Sequence, residues 1–390
     1  MQTNIYLDHN ATTPPHPDLR AKVQDWMDLW GNASSIHWTG RGPKALLREA
    51  RQSVAQALGV DSLEIVFTSG GSEANNLAIK GVLPETPKDG RDEILISAVE
   101  HPSVFKTALS MRERGYRIVY LNVDRSGQMD LSQLDEKLNE RTALVSVMLA
   151  NNETGHLFPV ATIAKRAHQV GALLHCDAVQ ALGKIPLDLR SLDVDLASLS
   201  GHKFYSLKGV GALFVRKGVQ LTSLIHGGGQ ERGRRAGTEN TLAIASLGFM
   251  CQKTDQIMPE ALRLRELRDY LESELVRRLD QVQITGADSS RLPGTSNMLI
   301  GGIDGETLLM NLDVAGFAVS TGAACSSGNP EPSPVLLAMG HSREEAQRSL
   351  RISLGWGNSK EDVEALVEEV VKTVARLRSF KHGVEFSYGV

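Results

Sequence analysis

Cysteine is scarce: Cys176, Cys251 and Cys325 are the only thiols in 390 residues. They are too few and too far apart for a disulfide framework or a structural zinc site, which points to a reducing compartment. Long apolar runs are lacking too. The longest, "TALVSVMLA" and "GVGALFV", fall well short of the roughly 20 residues that span a bilayer, and Met1 is followed by polar residues rather than by a charged-then-apolar leader. The chain therefore reads as cytoplasmic, with no membrane contact. Neither sign of charge dominates. The net formal charge is -4, basic residues are scattered, and no aromatic-interleaved basic stripe offers a surface for nucleic acid. Internal repeats and low-complexity tracts are missing as well. What is present is a composition that is 41% apolar, enough for one large core or two domains.

From about residue 60 to 216, short apolar segments ("EIVFTS", "EILISAV", "RIVYLNV", "ALVSVMLA", "ALLHCDAV", "LASLSG", "GALFV") alternate with amphipathic stretches such as "PVATIAKRAHQVG". Apolar runs without a period of two fit strands buried on both faces, so an α/β fold with a mainly parallel sheet is expected. Near residue 250 the texture changes to a charged helical stretch, "PEALRLRELRDYLESELVRRLDQV". A smaller α+β part should follow, with "GTSNMLIGG", "SLRISLGW" and a closing helix "KEDVEALVEEVVKTVARLRS". Cys176 falls in a strongly apolar strand and Cys251 in a helix, and both read as buried structural thiols.

Polar residues at the ends of these strands carry the chemistry. In "TSGGSEANN" the strand "EIVF" runs through glycines into a helix, where free N–H groups and the hydroxyl of Ser72 suit an anion, although the same sequence also makes an ordinary helix cap. In "HCDAVQALGK", Asp177 ends a buried strand and needs a cationic partner, with Gln180 close behind; a capping role is the alternative. In "LSGHKFYSLKGVG", Ser200, His202 and Lys203 follow another buried strand, and a desolvated lysine there becomes a nucleophile towards carbonyls, an ordinary surface lysine being the alternative. An anion cradle, a buried carboxylate and a reactive amine at strand ends together suit pyridoxal 5'-phosphate. Ser72, Ser200 and His202 would take its phosphate, Lys203 its aldehyde, and Asp177 its ring nitrogen. Gln180 could donate to the ring oxygen and His101, in "VEHPSV", could stack on the ring.

Taken in order, "YLDHNATT", "TSGGSEANN", "EHPSV", "NNETG", "HCDAVQ", "SGHKFY", "HGGGQERGRRAGTEN" and "STGAACSSGNPEPSPVLLAMG" resemble the cysteine desulfurases of the NifS and IscS kind. These are pyridoxal-phosphate enzymes of the class V aminotransferase group, fold type I. The resemblance implies a large cofactor domain over 16–258, with a seven-stranded sheet, and a small domain formed by 1–15 and 259–390. It implies that Gly71, Ser72, Asn152, Ser200 and His202 line the cofactor site with His101, Asp177, Gln180 and Lys203. Thr238 would reach the phosphate of the neighbouring subunit in a homodimer. Asn152, Arg351 and Asn32 would hold the substrate, the arginine fork suiting a carboxylate.

Among glycines and serines, Cys325 has little to pack against, and it resembles the nucleophile of the family, in the subgroup with the longer, mobile loop. Lys203, His101 and Cys325 are then the catalytic residues: L-cysteine gives alanine, and its sulfur is left as a persulfide on Cys325. No metal ligands are expected beyond contact of Cys325 with an iron–sulfur acceptor during transfer. A selenocysteine lyase, a cysteine sulfinate desulfinase or another class V aminotransferase-like enzyme is the alternative. Ala33 replaces the family's usual proline in "NASS", and Ser206-Leu207 replace a glycine-proline after the lysine. The chain also ends without the longer tail by which housekeeping members dock an iron–sulfur scaffold, so that partner is left in question.

Overall fold

The computed structural model describes residues 4–322 and 331–385, with side chains to residue 380. Its main sheet has seven strands in the order Ile65–Thr68, Gly211–Val215, Leu196–Ser200, Leu173–Asp177, Thr142–Met148, Glu93–Ser97, Arg117–Leu121. These are the seven segments that the sequence marks as strands. Neighbours are parallel except around Gly211–Val215, which runs antiparallel to both Leu196–Ser200 and Ile65–Thr68.

Along the central strands successive side chains enter different cores, as the pleat requires. Leu95, Phe214 and Ala212 join one core, whereas Ile94, Ile96, Leu213 and Val215 join the other. The first core is covered by helices Trp38–Ala57 and Thr241–Gln252, through Leu47, Val54, Ile244 and Leu247. Gly248 lets these helices approach, because a side chain there would strike the backbone of Ala50. The second core is covered by Gly71–Val82 and Pro102–Ser110, through Leu77, Ile79 and Val104. Cys176 and Cys251 are buried, as expected.

A separate core forms where Thr295–Ile300 pairs antiparallel with Ser349–Ser353 and Val282–Ile284, under helices Glu260–Arg278, Gly305–Val314 and Lys360–Glu385. It contains Leu271, Leu275, Met298, Leu350, Val363 and Leu366, and also Leu7 from the other end of the chain. Ile5–Tyr6 pairs in parallel with Phe317–Ala318, and His9 donates to the Ser353 carbonyl at 3.1 Å. The segment after it continues to Thr13, whose N–H donates to the His202 carbonyl at 2.9 Å. Residues 8–13 thus run from the smaller sheet to the carboxyl ends of the parallel strands. Among the described residues no helix is long and apolar enough to cross a membrane.

Candidate active site

A cavity of about 800 Å³ opens at those carboxyl ends. Its walls bring together Gly71, Ser72, His101, Asn152, Asp177, Gln180, Ser200, His202, Lys203 and Arg351. They come from the turns after Ile65–Thr68, Glu93–Ser97, Thr142–Met148, Leu173–Asp177 and Leu196–Ser200, the place where open α/β sheets bind ligands. Arg351 alone comes from the smaller sheet, on Ser349–Ser353.

The helix Gly71–Val82 begins at this cavity, and no side chain caps its first turn from Gly70. Gly71 sits there because a Cβ would lie 2.7 Å from Val179 Cγ2 and 3.4 Å from Ser200 Cβ. The missing side chain draws the helix start, its N–H groups and Ser72 against Ser200. Glu73, also on the cavity wall, accepts from Ser69 N–H at 2.8 Å and pairs with Arg235 at 2.9 Å.

Asp177 is buried and fully engaged by uncharged donors: Val179 N–H reaches Oδ1 at 3.0 Å and Asn75 Nδ2 reaches Oδ2 at 2.8 Å. Asn75 also donates to Ser103 Oγ at 2.9 Å, and Ser103 Oγ meets His101 Nδ1 at 2.7 Å. Ser103 N–H donates to the same nitrogen at 3.1 Å, so Nδ1 is an acceptor and the proton of the neutral ring sits on Nε2. Burial, and then the positive charge of Lys203, lower the pKa of His101, against the attraction of Asp177. Behind this wall Glu100 is pushed up to about 8 by burial and by its repulsion from Asp177.

Lys203 follows Leu196–Ser200 in the short turn Gly201–Lys203. Its Nζ donates to the carbonyls of Asn10 and Ala11, each at 2.6 Å, and among the described residues to no carboxylate. Burial, followed by the repulsion of Arg351, brings its pKa from 10.5 down to about 8, with Asp8 and Asp177 pulling the other way. His202 falls to about 4, because it is desolvated and faces Lys203, Lys208 and Lys184. The cavity thus sets Lys203, Lys208 and Arg351 among its walls with Asp177 and Glu73, and its lysine gives up its proton easily, a setting that favours carbonyl chemistry.

Arg351 pairs with Asp8 at 2.7 Å and donates to the Asn152 carbonyl at 3.1 Å, while its buried Nε has no partner among the described residues. Asn32 lies outside the cavity lining; its exposed side chain accepts from Ser34 N–H at 2.8 Å within its own turn. Thr238 lines a second, smaller cavity with Thr68, Arg235 and Asn240, which shares Ser69 and Gly209 with the first. Cys325 lies outside the described residues.

Several residues on these walls escape sequence reasoning. Asn10 is a hub: its carbonyl accepts from Lys203 and, at 2.9 Å, from Gln180 Nε2, and its side-chain oxygen accepts from Lys184 at 2.9 Å. It lies within "YLDHNATT", but no neighbour in that stretch announces the contacts it makes. Asn75 does leave a signal, since it stands four residues after Gly71 and four before Ile79, on the buried side of its helix. The replacements after the lysine also gain an account. Ser246 Oγ, on Thr241–Gln252, accepts from Leu207 N–H at 3.3 Å and meets Ser206 Oγ at 2.7 Å. A proline at 207 would lack that N–H and a glycine at 206 that hydroxyl, so a buried hydrogen-bonded link stands where ring stiffness would otherwise act.

The sequence pattern described as Aminotransferase class-V matches residues 5–366. The cysteine desulfurase of Gluconacetobacter diazotrophicus is 45% identical over 378 residues, spanning 96% of this chain and 94% of that protein. Among solved structures, a NifS-like protein superposes with a TM-score of 0.89 at 35% identity, covering 96% of this chain and 100% of that one. SspA in complex with cysteine does so with a TM-score of 0.79 at 32% identity, covering 90% and 99%.

Proposed function

The chain belongs to the class V aminotransferase family, and on that premise we propose that it is a cysteine desulfurase, which removes sulfur from L-cysteine, releases L-alanine and holds the sulfur as a persulfide. The observation that carries this reading is the meeting, in one cavity, of an amine of lowered pKa, a buried carboxylate and an uncapped helix start.

Those groups fit pyridoxal 5'-phosphate. The first turn from Gly71, which no side chain caps from Gly70, would with Ser72, Ser200 and His202 offer N–H groups and hydroxyls to a phosphate. Asp177, held in place by Asn75 and the Val179 N–H, would face the ring nitrogen, and Gln180 and His101 would lie beside the ring. When bound, the cofactor serves as an electron sink for carbanion character at the substrate's Cα. Lys203 would hold it and then move the Cα proton, a task suited to an amine whose pKa is brought down to about 8. Arg351 and Asn152 orient the substrate carboxylate, Nε of Arg351 being free to donate. His101, with its proton on Nε2, exchanges a proton with the substrate thiol. Cys325, as a thiolate, attacks the substrate sulfur; an S–S bond forms as the C–S bond breaks, and the carbon is protonated to alanine.

We assign the cofactor to residues 16–258 and the smaller part to 1–15 and 259–390, a division supported by the separate core that Leu7 shares with Leu271 and Met298. A homodimer is supported by the exposure of Trp30 (76%), Ile36 (96%) and Trp38 (75%), apolar area that a second copy would cover. Thr238, exposed beside the shared Ser69–Gly209 wall, would then complete the neighbouring site. The persulfide supplies iron–sulfur cluster assembly or another sulfur-accepting pathway.

The test supplies L-cysteine, L-selenocysteine and L-cysteine sulfinate in turn to the cofactor-loaded protein with excess reductant. Equal amounts of alanine and sulfide from L-cysteine are expected. Alanine from only the selenium or sulfinate substrate would move the assignment to those lyases.

A second expectation concerns pH. In cofactor-free protein, capture of pyridoxal phosphate should accelerate as pH rises through about 8, since only the neutral amine attacks the aldehyde and burial and Arg351 set that value. Arg351→Gln removes a repelling cation, which stabilises the ammonium and moves the inflection to higher pH. Stopped-flow absorbance across a pH series measures it; an inflection that Arg351→Gln leaves in place would contradict the electrostatic account.

A further inference from the structure

Glu153 is used by none of the steps above, yet it is an acidic side chain only 7% exposed. It belongs to "NNETG", next to Asn152. The turn is rigid: Asn151 Oδ1 accepts from Glu153 N–H at 2.8 Å and Thr154 N–H at 3.0 Å, while Asn151 Nδ2 donates to the Val99 carbonyl at 3.1 Å. From this turn the carboxyl group of Glu153 accepts a hydrogen bond from Ser333 Oγ. Ser333 is itself fully buried and caps Pro334–Ala338, accepting from Leu336 N–H at 3.1 Å, and Val335 and Leu336 are anchored in the main core.

The same carboxyl oxygen stands against Gly322. Any Cβ at 322 would collide with Glu153 Oε2 and would come within 3.1 Å of Ser333 Cβ. Two residues upstream, Ser320 exchanges backbone hydrogen bonds with Arg351 at 3.0 and 2.6 Å, and the Arg351 side chain donates to the Asn152 carbonyl. Burial pushes Glu153 up to about 7, opposed by the Ser333 hydrogen bond and by Arg351. A buried carboxyl group is a costly choice for mere filling, because it must be hydrogen-bonded or neutralised to be tolerated.

We propose that Glu153 is a positioning residue for sulfur transfer: its one buried carboxyl group fixes Gly322 by close packing and Ser333 by a hydrogen bond, and ties both to the turn that carries Asn152. The proposal rests on the desulfurase reading, since Gly322 and Ser333 flank the stretch of sequence that contains Cys325. Its consequence is a separation of steps. Proton transfer at Cα depends on Lys203 and the cofactor residues, whereas delivery of the thiolate to the substrate sulfur depends on where the flanks of Cys325 are held.

The test uses the full chain with Glu153→Ala, Glu153→Gln and Ser333→Ala. In cofactor-loaded protein, the exchange of the α-proton of L-alanine with solvent deuterium reads proton transfer, and alanine formation from saturating L-cysteine reads the whole reaction. Loss of a buried hydrogen bond to a carboxyl should lower alanine formation by roughly ten- to a hundredfold in Glu153→Ala, with α-proton exchange kept within about twofold. Glu153→Gln still accepts from Ser333 and should restore alanine formation to within about threefold of wild type. Ser333→Ala should show the same split, so the result does not hang on the folding of one variant. An equal fall in both rates, no fall in either, or no advantage of Glu153→Gln over Glu153→Ala would overturn the proposal. If the wild-type protein itself makes no alanine from L-cysteine, the desulfurase reading is what has failed. Alkylation by iodoacetamide in cofactor-free protein then decides the anchor alone, because Cys176 and Cys251 are buried. A rate changed at least about threefold in Glu153→Ala and Ser333→Ala, but not in Glu153→Gln, supports it; an unchanged rate overturns it.

Discussion

With Cys325→Ala, alanine formation from L-cysteine is expected to fall at least about a thousandfold, while the cofactor stays bound and the α-proton of the substrate still exchanges with solvent. The size of the loss follows from what the thiolate does. Breaking the C–S bond requires an acceptor for the sulfur, and without one the reaction can only return along its own path. The other thiols cannot substitute. Cys176 and Cys251 are buried, the first with its pKa well above the ordinary thiol value and the second pushed up to about 12 by burial, so neither forms a thiolate at neutral pH nor meets the substrate. Mass spectrometry of the intact protein after one turnover should find one added sulfur atom on wild type and none on the variant. Equal alanine rates in the two proteins would leave the cofactor assignment standing and remove Cys325 from the reaction.

Lys203→Ala should be at least as damaging: steady-state turnover falls about a thousandfold or more, the visible absorption of the lysine-bound cofactor disappears, and α-proton exchange is lost with it. That last loss separates the two variants, because Cys325 acts only on sulfur whereas Lys203 acts on the proton that must leave first. Lys184, the nearby amine, is not a replacement. Its Nζ is committed to the side-chain oxygens of Asn10 and Gln180, whereas Lys203 donates to the Asn10 carbonyl. Partial recovery by added small amines would confirm that the missing group is an amine and that the rest of the site is intact. Turnover and absorption both surviving in Lys203→Ala would refute the assignment.

The strands of the main sheet announce themselves, because a segment covered on both faces must be apolar throughout, and the glycines and serines that follow mark the turns. For the same reason Asp177 and Lys203 stand out: polar residues directly after fully apolar strands lie where such a sheet exposes its carboxyl ends. Direction is another matter. "GALFV" is as apolar as its neighbours, yet it runs antiparallel to Leu196–Ser200, a choice set by the length and path of its connections rather than by its own residues.

Local pattern determined which segments become strands and helices, which thiols are buried, and that an anion cradle, a carboxylate and an amine cluster at strand ends. Tertiary structure alone decided which remote groups set their chemistry. Asn10 meets Lys203 across 193 positions, Arg351 meets Asp8 across 343, and Ser333 meets Glu153 across 180. The physical reason is that periodicity and turn chemistry act over a few residues, whereas desolvation and Coulomb interaction act through space, between groups that only the folded chain brings together.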